Sequence, residues 1–136
     1  MGSEMCIRDR SPIGIGTNQL RIASRQEAIE TLHTGFANGV NIVHVSADYE
    51  GADEIVAEAI RSSDRKVYLA ANSYDVHGNT DGPVDHFISH FERTCELLET
   101  DRLDLYGIAA VEDREALGEN VWGDNGMVAF LSLIHI

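Results

Sequence analysis

Positive charge is scarce in this sequence: ten Lys and Arg stand against 23 Asp and Glu, a formal net charge of −13. Such a chain repels a phosphate backbone, because nucleic-acid affinity rests largely on cations that displace counterions, so nucleic acid and anionic membrane are set aside as partners. Cysteine is almost missing too. Cys6 and Cys95 are the two present, too few for a disulfide framework or a paired-cysteine metal motif, and a reducing, cytoplasmic setting fits. No apolar run approaches the roughly 18 residues that a bilayer span needs, and the polar start has no signal-peptide core. Length is short as well: 136 residues suffice for one compact domain but not for a closed α/β barrel, so size suggests a piece of a larger fold.

What is present divides into a foldable middle and two odd ends. Met5–Arg10 and Leu131–Ile136 resemble translated sequencing-adapter sequence of the sort that flanks reading frames on short metagenomic contigs. Residues 1–10 are therefore expected to be a non-native leader and 131–136 a non-native tail, leaving 11–130 for fold reasoning.

The middle alternates strand and helix. Ile13-Gly-Ile-Gly16 is a short apolar run between Pro12 and Thr17-Asn18 and reads as a first strand; its lone Gly-x-Gly is not taken as a dinucleotide fingerprint. Ser24-Arg-Gln-Glu27 has the spacing of a capping box, Ala28, Ile29, Leu32 and Phe36 recur on one helical face, and Asn38-Gly39 supplies a left-handed stop. His33 is expected to face solvent. Val40–Val45 is a β-branched run read as a central parallel strand buried on both faces, which places Asp48 and Tyr49 just past its carboxyl end, where α/β barrels carry their chemistry. Asp53–Arg61 predicts a second helix, with Ile55, Val56, Ala59 and Ile60 inward. Val67–Ala71 predicts a third strand, followed by a polar loop containing Gly78, Asn79, Asp81 and Gly82.

Pro83 suits the first turn of a third helix whose apolar stripe is Val84, Phe87, Ile88, Phe91, Cys95 and Leu98. His86 and His90 have helical metal-site spacing but lack the Glu of an HExxH motif and fall on the expected solvent face, so no metal is expected. Leu103–Ala110 reads as a fourth strand, Val111–Asn120 as an acidic connector with a helical turn, and Met127–Phe130 as the opening of a fourth helix. Strict alternation predicts a parallel sheet with right-handed crossovers: an α/β chain of about four βα units.

Several segments, in order, resemble the first half of an aldo/keto reductase barrel. Phe36–Tyr49 is similar to the family segment with an Asp-Thr-Ala-x-x-Tyr core, Asp53–Ile60 to its Glu-x-x-Ile-Gly-x-Ala-Leu helix, Val67–Asn72 to its strand ending in Thr-Lys, and Leu98–Ala109 to Leu-Gly-x-Asp-Tyr-Ile-Asp-Leu-Tyr-x-x-His. The segment Asp124-Asn-Gly-Met127 looks most like the branch with a ferredoxin-like iron-sulfur domain downstream. The resemblance implies a partial (β/α)8 barrel, NADP(H)-linked reduction of a small-molecule carbonyl, and a catalytic group of Asp, Tyr, Lys and His. Of these it implies that Tyr49 alone is kept: His44 stands at the Asp position, Asn72 at the Lys position and Ala109 at the His position.

The chemical consequence follows from proton affinity. A phenol titrates near 10 and donates to a developing alkoxide well only when a neighbouring cation lowers that value, which a neutral Asn72 cannot do. The expected reading is an oxidoreductase barrel impaired or repurposed, with His44 a satisfied interior histidine. A second is proton exchange between His44 and Tyr49. A rival from another class is a non-catalytic binding or regulatory protein on the same barrel. The later strands, which grip the cofactor in the family, are missing, so NADP(H) binding by this piece alone is not expected.

Overall fold

A computed structural model describes residues 9–46, 49–73, 83–109 and 118–134. Four strands, β1 (Ile15–Gly16), β2 (Ile42–Ser46), β3 (Tyr68–Ser73) and β4 (Leu105–Ile108), alternate with helices α1 (Arg25–Ala37), α2 (Ala52–Arg61), α3 (Pro83–Leu97) and α4 (Met127–Ile134). They form one parallel sheet in the order β1-β2-β3-β4, an arc of a (β/α)8 barrel. The polar loop expected at 74–82 and most of the acidic connector lie outside the described residues.

Local signals act as the sequence predicts. The Ser24 hydroxyl accepts from the Glu27 amide while the Glu27 carboxylate accepts from the Ser24 amide, so two orphan donors of α1 are satisfied reciprocally. Gly39, at φ +88°, ends α1 in the left-handed conformation. Ala28, Leu32 and Phe36 are buried against Val43 and Val45 of β2, Leu69 and Ala71 of β3, and Ile55, Val56 and Ala59 of α2. Burying a side chain such as Leu32 contributes roughly 1.5–3 kcal/mol, so this outer layer holds the sheet to its helices.

Four expectations are corrected. The Val40–Val45 segment is not buried on both faces: Val43 and Val45 are covered by helices, whereas Ile42 and His44 on the concave face are only half-buried, because an arc leaves that face open. A 3-10 helix, Asn18–Ile22, follows β1 and buries Leu20, which the short apolar run did not reveal. His33 is not simply solvated, since its Nε2 lies 3.1 Å from both the Ala59 carbonyl and the Ser62 hydroxyl at the end of α2. His90 does not face solvent: it is 8% exposed and packs under β4 beside Thr94 and Tyr106. The stripe on α3 is wider than its apolar residues, because His90 and Thr94 lie inside it and are satisfied together with Tyr106 of β4.

That satisfaction is specific. The Tyr106 hydroxyl donates to the Phe87 carbonyl at 2.7 Å, so its oxygen is left to accept from His90 Nδ1–H at 3.1 Å, and His90 Nε2 is left to accept from the Thr94 hydroxyl at 3.4 Å. The neutral imidazole fits this network and the charged one does not. Phe87, Val121 and Met127 form a second cluster around it, with Phe130 and Leu131 of α4 packed alongside. At the sheet's amino-terminal end, Asp9 accepts from the Tyr68 hydroxyl, and Arg10 and Lys66 lie 4.7 and 4.6 Å from the Tyr68 ring centre. Residues of both expected non-native ends thus contact the fold.

Two predictions follow from this packing. Glu99 sits at φ +51° after α3, where the Thr100 amide reaches the Cys95 carbonyl and the Glu99 amide the Glu96 carbonyl, a Schellman ending in a position that favours glycine. Glu99→Gly is expected to raise stability by about 1 kcal/mol in urea melts; a loss of stability would contradict the strain. Burial, the largest influence, lowers the His90 pKa to about 4 from an ordinary 6.5. Between those values the unfolded chain binds a proton that the folded one refuses. Stability is therefore whole above about pH 6.5 and loses roughly 2–3 kcal/mol as pH falls through 4. Urea melts of wild type and His90→Gln should show that the variant lacks this slope.

Candidate active site

The carboxyl ends of the strands are where a parallel barrel presents chemistry, because side chains there are held by paired backbone while the following loops are free to vary. Parallel pairing aligns Gly16, His44, Ala70 and Leu105 in one row across the sheet, and Ser46, Asn72 and Gly107 in the next row toward the carboxyl rim. Alternation along each strand puts both rows on the concave face, opposite the helix-covered Val43, Val45, Leu69 and Ala71.

Tyr49 is positioned by a turn hung from β2. Its amide donates to the Ser46 carbonyl at 2.9 Å and its carbonyl accepts from the Ala52 amide at 2.8 Å, so the residue is fixed between the strand end and the first turn of α2. Gly51, at φ +77°, lets the chain turn into α2 directly behind it. The Tyr49 and His44 rings meet edge to face, centroids 6.2 Å apart at 73°. The backbone of His44 is held by the buried Thr17 hydroxyl, which donates to its carbonyl at 2.8 Å. Burial lowers the His44 pKa, so the imidazole beside Tyr49 is neutral at pH 7. Its ring nitrogens make no hydrogen bond among the described residues, where the ring is half-buried.

Asn72 and Ala109 lie at neighbouring strand ends. Asn72 is the penultimate residue of β3, and the Ala109 amide donates to the Ser73 carbonyl at 2.9 Å just past β4. The structure thus joins His44 to Tyr49, while no hydrogen bond links Asn72 to Tyr49 among the described residues. Asp48 lies outside them. Two residues that sequence reading did not single out, Asn18 and Ser73, join Asn72 here: among the described residues the side-chain oxygens of all three are buried without a hydrogen-bond partner. The signal for Asn18 was its place immediately after the first strand, where Thr17-Asn18 was read only as a break. Gly14 proves structural, since a β-carbon there would stand 3.2 Å from Ile42 of β2.

The donor set fits a nicotinamide dinucleotide only in part. The two orphaned amide oxygens could accept from a carboxamide or a ribose hydroxyl. A pyrophosphate, however, needs cations or a cluster of amides. Arg21 is the only cationic residue in the described parts of the connections that follow the strands, against Glu50, Glu119 and Asp124. The residues described do not by themselves fit the dinucleotide. No cluster of three or more His, Cys, Asp or Glu suited to a metal occurs among them, and both His90 nitrogens are engaged by side-chain hydroxyls. Among the described residues no helix is long and apolar enough to cross a membrane.

Comparison with known proteins agrees with this architecture. Two solved structures from Pseudomonas aeruginosa, both assigned as aldo-keto reductases, superpose with TM-scores of 0.72 and 0.68 at 23% and 22% identity. Each match covers 91% of this chain but only 50% and 51% of the other, so the chain spans about half the length of the proteins it matches. At that identity the likeness establishes the fold. No curated protein matches the chain significantly. The aldo/keto reductase family model, in contrast, matches residues 12–124, and the chain belongs to that family.

Proposed function

We propose that this chain is the first half of an aldo/keto reductase-type barrel in which NADP(H)-linked reduction of a small-molecule carbonyl is impaired. The observation that carries the reading is the company Tyr49 keeps. Its ring neighbour is His44, held neutral by burial, and the β3 residue at the position the family gives to lysine is the amide Asn72. With no cation placed beside it among the described residues, a phenol is a poor proton donor to a developing alkoxide. Ala109, at the position of the family's histidine, has no side-chain donor to orient a carbonyl oxygen.

Proton exchange between His44 and Tyr49 is the weaker alternative, since the rings meet by their edges without a hydrogen bond. A non-catalytic binding or regulatory role on the same barrel is favoured by one observation: the buried oxygens of Asn18 and Asn72, unpartnered among the described residues, offer hydrogen bonds to a ligand without supplying an acid. The cofactor belongs to this reading only in a protein that also carries the later strands. A cytoplasmic setting accords with the cysteine usage.

The test is kinetic. In the protein that contains this chain, NADPH-dependent turnover of an aldehyde panel is expected to be weak and unchanged by Tyr49→Phe. Introducing His44→Asp, Asn72→Lys and Ala109→His together is expected to raise kcat about 10²–10⁴-fold, and adding Tyr49→Phe should abolish the gain. Robust turnover that already depends on Tyr49 would defeat the impaired reading. NADPH binding without turnover in the triple variant would favour the binding role.

A further inference from the structure

One support of the candidate site is a side chain where a strand would be expected. β1 is two residues long, and the chain then leaves the sheet through Thr17 into the 3-10 helix Asn18–Ile22. Gly16, opposite His44, is the last residue of β1 paired with β2. Beyond it the Thr17 hydroxyl donates to the His44 carbonyl at 2.8 Å. A side chain thus continues the ladder where the β1 backbone turns away.

Burial shows that this hydroxyl is not incidental. Thr17 is 0% exposed, and a valine would fill the same volume with no polar group to desolvate. The hydroxyl makes one side-chain hydrogen bond among the described residues, the one to His44. Behind it the 3-10 helix is anchored by Leu20, which is buried in the same cluster as Leu32, Val43 and Val56. On its other side β2 is paired with β3 from Ile42 to Ser46, and the Ser46 carbonyl holds the Tyr49 amide at 2.9 Å.

We propose that Thr17 is a positioning residue for the candidate active site: by fixing the main chain of residue 44, its hydroxyl sets where the side chain at 44 meets the Tyr49 ring, and it touches no reacting atom itself. The inference rests on the reading that the reacting groups belong at the Tyr49 end of the strands. Without the hydroxyl the peptide between His44 and Val45 is free to tilt. Such a tilt swings the ring at 44 away from Tyr49 while Val43 and Val45 stay packed beneath the helices. A misplacement of about 1 Å between groups that act together lowers a rate by about 100-fold.

The first test needs no activity. In NMR spectra of the 136-residue chain, Thr17→Val is expected to weaken the cross-peaks between the His44 and Tyr49 rings and to move the His44 titration up toward the ordinary 6.5 as the ring meets water. Tyr49 is the titratable group whose ring meets that of His44 among the described residues. Thr17→Ser keeps the hydroxyl and should leave both readouts at their wild-type values, including when Thr17→Val does not fold. Thr94→Val removes another hydroxyl at a 0% exposed position, beneath β4; it should lower Tm comparably and leave the His44 signals unmoved. The second test is kinetic, in the larger protein carrying His44→Asp, Asn72→Lys and Ala109→His. There Thr17→Val should lower kcat about 10- to 100-fold with KM nearly unchanged, and Thr17→Ser should restore it. Absence of turnover in that background counts against the reductase reading and leaves the NMR result to decide the role of Thr17. Unchanged His44 signals in a folded Thr17→Val chain would overturn the proposal. So would a shift of the same size in Thr94→Val, or any shift in Thr17→Ser.

Discussion

The parallel pairing of β2 with β3 is the interaction from which the rest of the structure takes its positions. Five residue pairs, from Ile42 with Tyr68 to Ser46 with Asn72, run in register at the centre of the sheet. A slip by one residue would turn Val43 and Val45 away from α1 and α2 and send His44 under the helices, exchanging apolar contacts for a desolvated imidazole. Register is thus enforced by the outer face, while the inner face inherits whatever side chains the alternation leaves it. The candidate site is a consequence of packing on the opposite side of the strand.

The cluster that holds the fold draws little on the residues of the candidate site. His44 and Asn72 contribute little to the cluster that holds helices to sheet, and Ala109 lies beyond the last described residue of β4. The supports act on main-chain atoms of the site residues whatever side chains those carry: the Thr17 hydroxyl on the His44 carbonyl, the Ser46 carbonyl on the Tyr49 amide and the Ser73 carbonyl on the Ala109 amide.

The same logic sets where the molecule spends polar groups. Beneath β4, His90, Thr94 and Tyr106 are buried yet mutually hydrogen-bonded, and the network ties the third helix to the fourth strand through the Phe87 carbonyl. Between helices α2 and α3 the partly buried Asp53 lies 3.8 Å from Arg93, and the more exposed Arg25 reaches Glu58 at 2.6 Å from α1. Exposed pairs of this kind contribute at most about 1 kcal/mol each, so they orient helices that the apolar cluster already holds.

Much of this was legible in the chain because it depends on neighbours in sequence. The Ser24–Glu27 box, the Asn38-Gly39 stop, the apolar period of the second helix and the strict alternation of elements are local, and the order of motifs from Phe36 to Ala109 carried the family as well. What the tertiary structure decided are the matters that need two distant segments at once. Whether His90 faces water or Tyr106 depends on the angle at which α3 meets β4, sixteen residues later, and a polar residue on a wide stripe gives no sign of it. Burial of His44 on only one side depends on the sheet being an arc, and its edge contact with Tyr49 depends on the turn that Gly51 permits. Composition and spacing say which groups a site can hold; only the packing of strand against helix says which of them are dry, paired and facing one another.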